Sequence, residues 1–198
     1  MGMDGGTERG LAIAGEARHL LAMNHDSYDD SYIRDILKSV KRIALVGASA
    51  NEARPSYIVI KYLLDRGYEV TPVNPGLAGQ MLLGRMVYPD LKSIPGPIDM
   101  VEIFRNSEAA GPITDEALLL DPSPGVIWMQ LSVRNDEAAA RAEARGVTVV
   151  MNRCPKIEYG RFSGEIGWQG INSRLLSSKK PTLAGKGFQK FTINRPGS

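Results

Sequence analysis

The stretch Gly47-Ala48-Ser49-Ala50-Asn51-Glu52-Ala53-Arg54-Pro55-Ser56-Tyr57 sets small residues ahead of a helical pattern. Small side chains let backbone amides approach a phosphate, and the helix N-terminus that follows adds roughly half a positive charge. Arg54 could pair with the same anion and Ser56 could cap the helix, although a tight strand-to-helix turn without a ligand uses the same residue types. Arg105, after the apolar run that ends at Phe104, offers a planar guanidinium suited to phosphate, with a surface ion pair as the competing reading. Cys154 stands alone in Asn152-Arg153-Cys154-Pro155. Arg153 could favour its thiolate, and a small packed residue is the competing reading.

What is missing narrows the chemistry. The single cysteine excludes an internal disulfide framework and leaves no Cys/His cluster for a metal. His19 and His25 both precede the body of the chain and no GxSxG occurs, so a Ser-His-Asp hydrolase is excluded. Gly47 is followed at the second and fifth positions by Ser49 and Glu52, so the loop is not GxGxxG. The place where a nicotinamide enzyme carries an acid for the ribose reads Val73-Asn74-Pro75. Asn74 could hydrogen-bond a ribose but has no carboxylate. A dehydrogenase is thereby demoted; a methyltransferase stays open on fold grounds, with Asn74 a poor substitute for the acid that would grip the ribose of its cofactor.

These residues need elements to position them. Five short apolar runs recur: Arg42 to Val46, Glu69 to Val73, Met100 to Phe104, Val126 to Leu131 and Val147 to Met151. Consecutive apolar residues suit strands covered on both faces. Between them, Ile33, Ile36, Leu37 and Val40 share one helix face, and Tyr57, Ile60, Leu63 and Leu64 another that ends at Gly67. Asn135 is placed to cap a further helix running to Gly146. From Ser107 to Asp121 the reading is a turn followed by a helix starting at Pro112. Gly76 to Pro97 reads as turns with a short edge strand at Met86 to Tyr88. The alternation predicts an α/β fold, a doubly wound parallel five-stranded sheet of Rossmann type, with strand order 3-2-1-4-5. In such a sheet ligands sit beyond the carboxyl ends of the strands, where Gly47, Asn74, Arg105 and Cys154 all fall.

The 198 residues suffice for one domain with appendages: an extension over 1–28, the body over 29–158 and a basic end over 159–198. Of the 24 basic residues, five (Lys179, Lys180, Lys186, Lys190 and Arg195) follow residue 178, where there is no acid. The remainder holds 19 basic against 22 acidic residues, a net of −3. The body is therefore no nucleic-acid surface by charge, and the basic end is expected to be solvated and poorly ordered. The opening lacks a secretory pattern and no window is apolar enough to span a bilayer, which points to a cytoplasmic protein. After Pro155 the composition turns to Gly, Ser and polar residues, as in a segment that wraps the surface or reaches a partner subunit.

LVGAS (45–49), RPSY (54–57), KYLLDRGY (61–68), VTPVNP (70–75), DMVEIFRNSEAA (99–110), WMQLSV (128–133) and VVMNRCPKIE (149–158) resemble the small, single-domain CoA-binding proteins of the YccU type. The likeness runs from about Tyr32 to Glu158, and the fold is similar to the CoA-binding domain of the succinyl-CoA synthetase α subunit. The resemblance implies coenzyme A across the strand ends, its adenine and phosphates near Gly47, Ala48, Ser49 and Arg54. Asn74 and Pro75 would line the nucleotide side, Phe104 and Arg105 the third loop, and Gln130 the wall beside the pantetheine. Phe104 is equally suited to the core. Related loops often carry Lys after the second strand, where this chain reads Asn74-Pro75-Gly76-Leu77; Lys61 and Arg85 are the substitutes on offer for a 3′-phosphate. The histidine and second domain that succinyl-CoA synthetase needs for phosphate transfer are missing.

The reading is a non-catalytic binder of CoA or acyl-CoA, acting as carrier, sensor or partner subunit, either as a homodimer or docked on a larger acyl-CoA enzyme. A mixed disulfide between Cys154 and the CoA thiol is its one candidate reaction. The alternative is an enzyme of the same fold, using NAD(P) for redox chemistry or CoA for acyl transfer.

Overall fold

The computed structural model describes residues 23–164. The basic end, and with it Lys179 to Arg195, lies outside the described residues, as do residues 1–22.

Five parallel strands form the sheet: β1 (Arg42–Val46), β2 (Glu69–Val73), β5 (Met100–Ile103), β6 (Val126–Met129) and β7 (Thr148–Val150). A two-stranded antiparallel hairpin, β3 (Met81–Leu82) and β4 (Arg85–Met86), stands beside it. Every residue of β5 and β6 is buried, which is why these runs are apolar throughout apart from one acid, Glu102. The doubly wound parallel five-stranded sheet is as expected, but its order is β2-β1-β5-β6-β7. Counting those five strands along the chain gives 2-1-3-4-5, which corrects the expected 3-2-1-4-5. The third run pairs with β1, Ile43 opposite Met100 and Val46 opposite Ile103. The outer place beside β2 is taken instead by the segment from 76 to 97, through one parallel bridge between Val73 and Tyr88. That edge segment is where the sequence put it. Fully buried Met100 to Ile103 need strands on both sides, whereas short, polar-flanked Tyr88 tolerates an edge.

Among the described residues five α-helices cover the two faces. On one lie α1 (Asp30–Ser39), α2 (Pro55–Asp65) and α5 (Pro155–Phe162), packed on Leu45, Trp128 and Val150. On the other lie α3 (Ser107–Leu118) and α4 (Asp136–Glu143), packed on Val101, Ile103, Ile127 and Met129. α2 starts with Pro55 at a position where the missing N–H costs nothing. It ends where Gly67 takes a φ of +86°, letting Tyr68 N–H reach Leu63 O at 3.1 Å and Gly67 N–H reach Leu64 O at 3.0 Å. Asn135 Oδ1 accepts from Ala138 N–H at 2.9 Å, the cap its sequence predicts for α4.

Two helices differ from expectation. α3 starts at Ser107 rather than Pro112, because Asn106 Oδ1 accepts from Ala109 N–H at 2.9 Å and nucleates the turn that Pro112 then continues. Pro112 is exposed, so the backbone bond it forfeits lies on the wet side. α5 is a fifth helix that the Gly- and Ser-rich composition after Pro155 conceals. It buries Pro155, Glu158 and Gly160 against α1 and α2, with Pro155 as its own start signal.

Candidate functional site

β1 connects outward to β2 through α2, while β5 connects the other way to β6 through α3, so the carboxyl ends of β1 and β5 separate and leave a crevice. The crevice is a groove of about 580 Å3. Gly47 makes it shallow. Its φ is +96°, and a Cβ there would run into the Phe104 carbonyl oxygen and come within 3.0 Å of Arg105 Cδ. Phe104 N–H donates to Val46 O at 2.8 Å, which brings the third loop against the first.

Of the sequence candidates, Gly47, Ala48, Ser49, Arg54, Ser56, Asn74 and Phe104 line the groove. Arg105 flanks it beside Gly47. Pro75 is displaced by its neighbours Gly76 and Leu77, which do line it. Gln130 and Cys154 are not among the lining residues: both are buried further along the rim.

The amides of Gly47 and Ala48 are already engaged. Both donate to Val73 O, at 2.9 and 3.2 Å, so their backbone shapes the groove without offering donors to it. Asn74 is engaged likewise, its Nδ2 donating to Ala48 O at 2.7 Å and its Oδ1 accepting from Gly76 N–H at 2.8 Å. It locks the first loop to the second, and a ribose would have to compete with those bonds. Asn51, which the sequence reading did not single out, braces the loop from within: its Oδ1 accepts from Ala53 N–H at 2.9 Å and its carbonyl from Arg54 N–H at 3.0 Å. An Asn five residues after a strand is the signal that could have found it.

The donors left for a ligand are the first-turn amides of α2, at Ser56 and Tyr57, which have no partner one turn back. The amides of Ser49 and Ala50 likewise make no hydrogen bond among the described residues. Arg54, at the N-cap of α2 and exposed, and Arg105, also exposed, have no ion-pair partner among the described residues. Lys61 is tied to Asp65 at 2.9 Å, which lessens its claim on a 3′-phosphate, while Arg85 lies exposed on β4.

Further along the rim, Gln130 Oε1 accepts from Leu131 N–H at 2.8 Å and its Nε2 lies 3.5 Å from Cys154 Sγ. Burial, and next the Glu102 carboxyl, push the Cys154 thiol up, outweighing the amides at the start of α5. Arg153, expected to favour a thiolate, turns elsewhere: it stacks over Tyr28 at 5.3 Å and lies 3.8 Å from Glu158. Glu102, the acid inside β5, is fully buried and burial drives its pKa well above the usual carboxylate range. A charged letter inside an otherwise apolar run was its visible sign.

Among the described residues no group of three or more His, Cys, Asp or Glu could hold a metal ion, and no helix is long and apolar enough to cross a membrane.

A doubly wound sheet with a small-residue loop and a helix N-terminus at its switch point is a Rossmann-like domain. Residues 41–160 match the family described as CoA binding domain, and the chain belongs to that family. The Bacillus subtilis (strain 168) protein YneT is 40% identical over 127 residues, covering 64% of this chain and 91% of YneT. A solved structure from Pyrococcus horikoshii OT3 is 38% identical with a TM-score of 0.66, covering 73% of this chain and 99% of that one. A Thermus thermophilus structure is 34% identical with a TM-score of 0.64, covering 68% and 98%.

Proposed function

We propose that the groove binds coenzyme A or an acyl-CoA and holds it without breaking a bond, the protein serving in the cytoplasm as carrier, sensor or partner subunit, as a homodimer or on a larger acyl-CoA enzyme. The observation that supports this most is the convergence, on one side of the groove, of α2 amides and an Arg54 that have no partner among the described residues. A diphosphate placed there meets the positive end of the helix and a guanidinium together. The adenosine would extend over Gly76 and Leu77. Arg105, on the opposite flank, is the cation we assign to a second phosphate. Pantetheine would leave along Phe104 toward the β6 end of the rim, where Gln130 and Cys154 lie below the surface. Thiol exchange at Cys154 would require that region to open.

Thermal unfolding of the full chain tests this. CoA should raise the melting temperature more than NAD, NADP or S-adenosylmethionine at equal concentration, since saturation to about one hundred times Kd contributes roughly 2.7 kcal/mol. A smaller shift with dephospho-CoA would support the second phosphate contact. A clear NAD shift with no CoA shift would overturn the proposal in favour of a nicotinamide enzyme.

A further inference from the structure

Beneath the β5–β6 side of the rim lies an acid with no partner among the described residues. Neither carboxylate oxygen of Glu102 has a hydrogen-bond partner among the described residues, and the residue is 0% exposed. By strand alternation it leaves the sheet on the same face as Met100, toward the layer of α1, α2 and α5. In register it is flanked by Leu45 on β1 and Trp128 on β6, both buried and apolar. α1 and α2 present apolar residues to this layer, such as Ile33, Leu37, Ile60 and Leu63. Tyr68, at the start of β2, is bound through its hydroxyl to Leu37 O at 2.7 Å. α5 brings one acid, Glu158, whose carboxylate is held by Arg161 at 2.7 Å and Arg153 at 3.8 Å. Tyr32, Tyr62 and Tyr159 border the same layer, and Cys154 sits within it at the N-cap of α5, 6% exposed.

An unpaired carboxylate cannot form in such a place without water reaching it. Glu102 is therefore neutral while this layer is closed, and any movement that wets it lets it ionise. The element that covers Cys154 is the first turn of α5, joined to the sheet side chains by the 2.9 Å bond from Trp128 Nε1 to Arg153 O and the long 3.5 Å contact from Gln130 to the Cys154 sulfur. The same turn that must lift to expose the thiol also lets solvent reach the acid behind it.

We propose that the start of α5 is a proton-linked gate over Cys154: its opening ionises Glu102 and presents the thiol for exchange with a small disulfide. In the exchange the Cys154 thiolate attacks one sulfur of the disulfide, a new S–S bond forms as the old one breaks, and the other half leaves as a thiolate. The gate does not depend on what occupies the groove.

The rate at which the full chain reacts with an aromatic disulfide reagent tests it, because Cys154 is the one cysteine present. The closed state holds a proton on Glu102 that the open state lacks, so above the ordinary Glu value of about 4.3 the open population rises roughly tenfold per pH unit. The thiolate fraction of an open cysteine also rises about tenfold per unit below its ordinary value near 8.5. Above the ordinary Glu value and below the raised one, the wild-type labelling rate should therefore climb about a hundredfold per pH unit, and that of Glu102→Gln about tenfold. A local gate should also label at a rate insensitive to low urea. A wild-type slope of one decade per unit overturns the proton link. Labelling that accelerates with urea along the full unfolding slope overturns the local gate. If Glu102→Gln does not fold, the wild-type slope and its urea dependence decide both points unaided.

Discussion

The carboxyl rim of one sheet carries two polar regions built in opposite ways. At the β1–β5 gap the helix that follows, α2, points its N-terminus across open space, and its first amides and Arg54 are left without partners among the described residues. At β6 and β7 the helix that follows, α5, folds back over the strand ends, so Gln130 and Cys154 become buried and an acid beneath them has no partner among the described residues. One region has donors awaiting an anion; the other has an acid whose ionisation is suppressed. The difference comes from strand order. Only where neighbouring connections diverge does a parallel sheet leave its rim uncovered.

The sharpest way to break the open half is Gly47→Val. The new side chain must adopt a φ of +96° and displace the Phe104 carbonyl, a combination of strain and overpacking that costs about 2–6 kcal/mol. A fall of that size in urea unfolding, with loss of any CoA-dependent thermal shift, is expected; an unchanged shift would mean that the ligand does not lie over Gly47.

The covered half responds to pH instead. Because burial raises the folded-state pKa of Glu102, its contribution to stability is intact below the ordinary carboxylate range and is lost as pH rises through the window up to the raised value. Within that window the wild type should lose up to about 1.4 kcal/mol per pH unit relative to Glu102→Gln. Urea midpoints for both proteins from pH 5 to 8 measure this. Parallel pH profiles would show that the acid is already ionised or partnered.

Arg54→Ala should weaken CoA binding about tenfold, near 1.4 kcal/mol, with little change in unfolding midpoint, since the side chain is exposed and unpaired among the described residues. The groove at the amino end of the sheet supplies the control. It is similar in size, about 630 Å3, but lined by Asp35 and Asp99, and Asp99 Oδ2 already accepts from the amides of Lys41 and Arg42 at 2.8 and 2.7 Å. Asp35→Ala should leave CoA affinity unchanged in the same calorimetric titration.

Much of this was legible in the sequence, and the parts that were not have identifiable causes. Apolar runs gave the strands, and the Asn135 cap and Gly67 gave helix ends, because those signals act within a few residues. The place of Met100 to Ile103 next to β1 depends on which buried strand needs two neighbours, a property of the assembled sheet. Gly47, Ser49 and Arg54 were found because the loop's chemistry is local. That the Gly47 and Ala48 amides and the Asn74 side chain are engaged by backbone 26 or so residues away could not be read from spacing. Nor could the covering of Gln130 and Cys154, since Pro155 to Phe162 show weak apolar periodicity and contribute to the core through Pro155, the stem of Glu158 and Gly160.

The smallest expected effect tests whether the two halves are really separate. Gln130 was assigned to the pantetheine wall on resemblance, yet it is 7% exposed and both ends of its amide are engaged, one by Leu131 N–H and the other by Cys154 Sγ. Gln130→Leu keeps the volume and removes both bonds. If pantetheine stays on the Phe104 side of the rim, CoA affinity in calorimetry should change by less than about twofold, while Cys154 labelling quickens because the start of α5 is then held from the sheet side chains by the Trp128 bond to Arg153 O without the Gln130 contact. A tenfold loss of CoA affinity would show instead that the ligand reaches β6, so that the covered half opens to receive it and the rim acts as one continuous site.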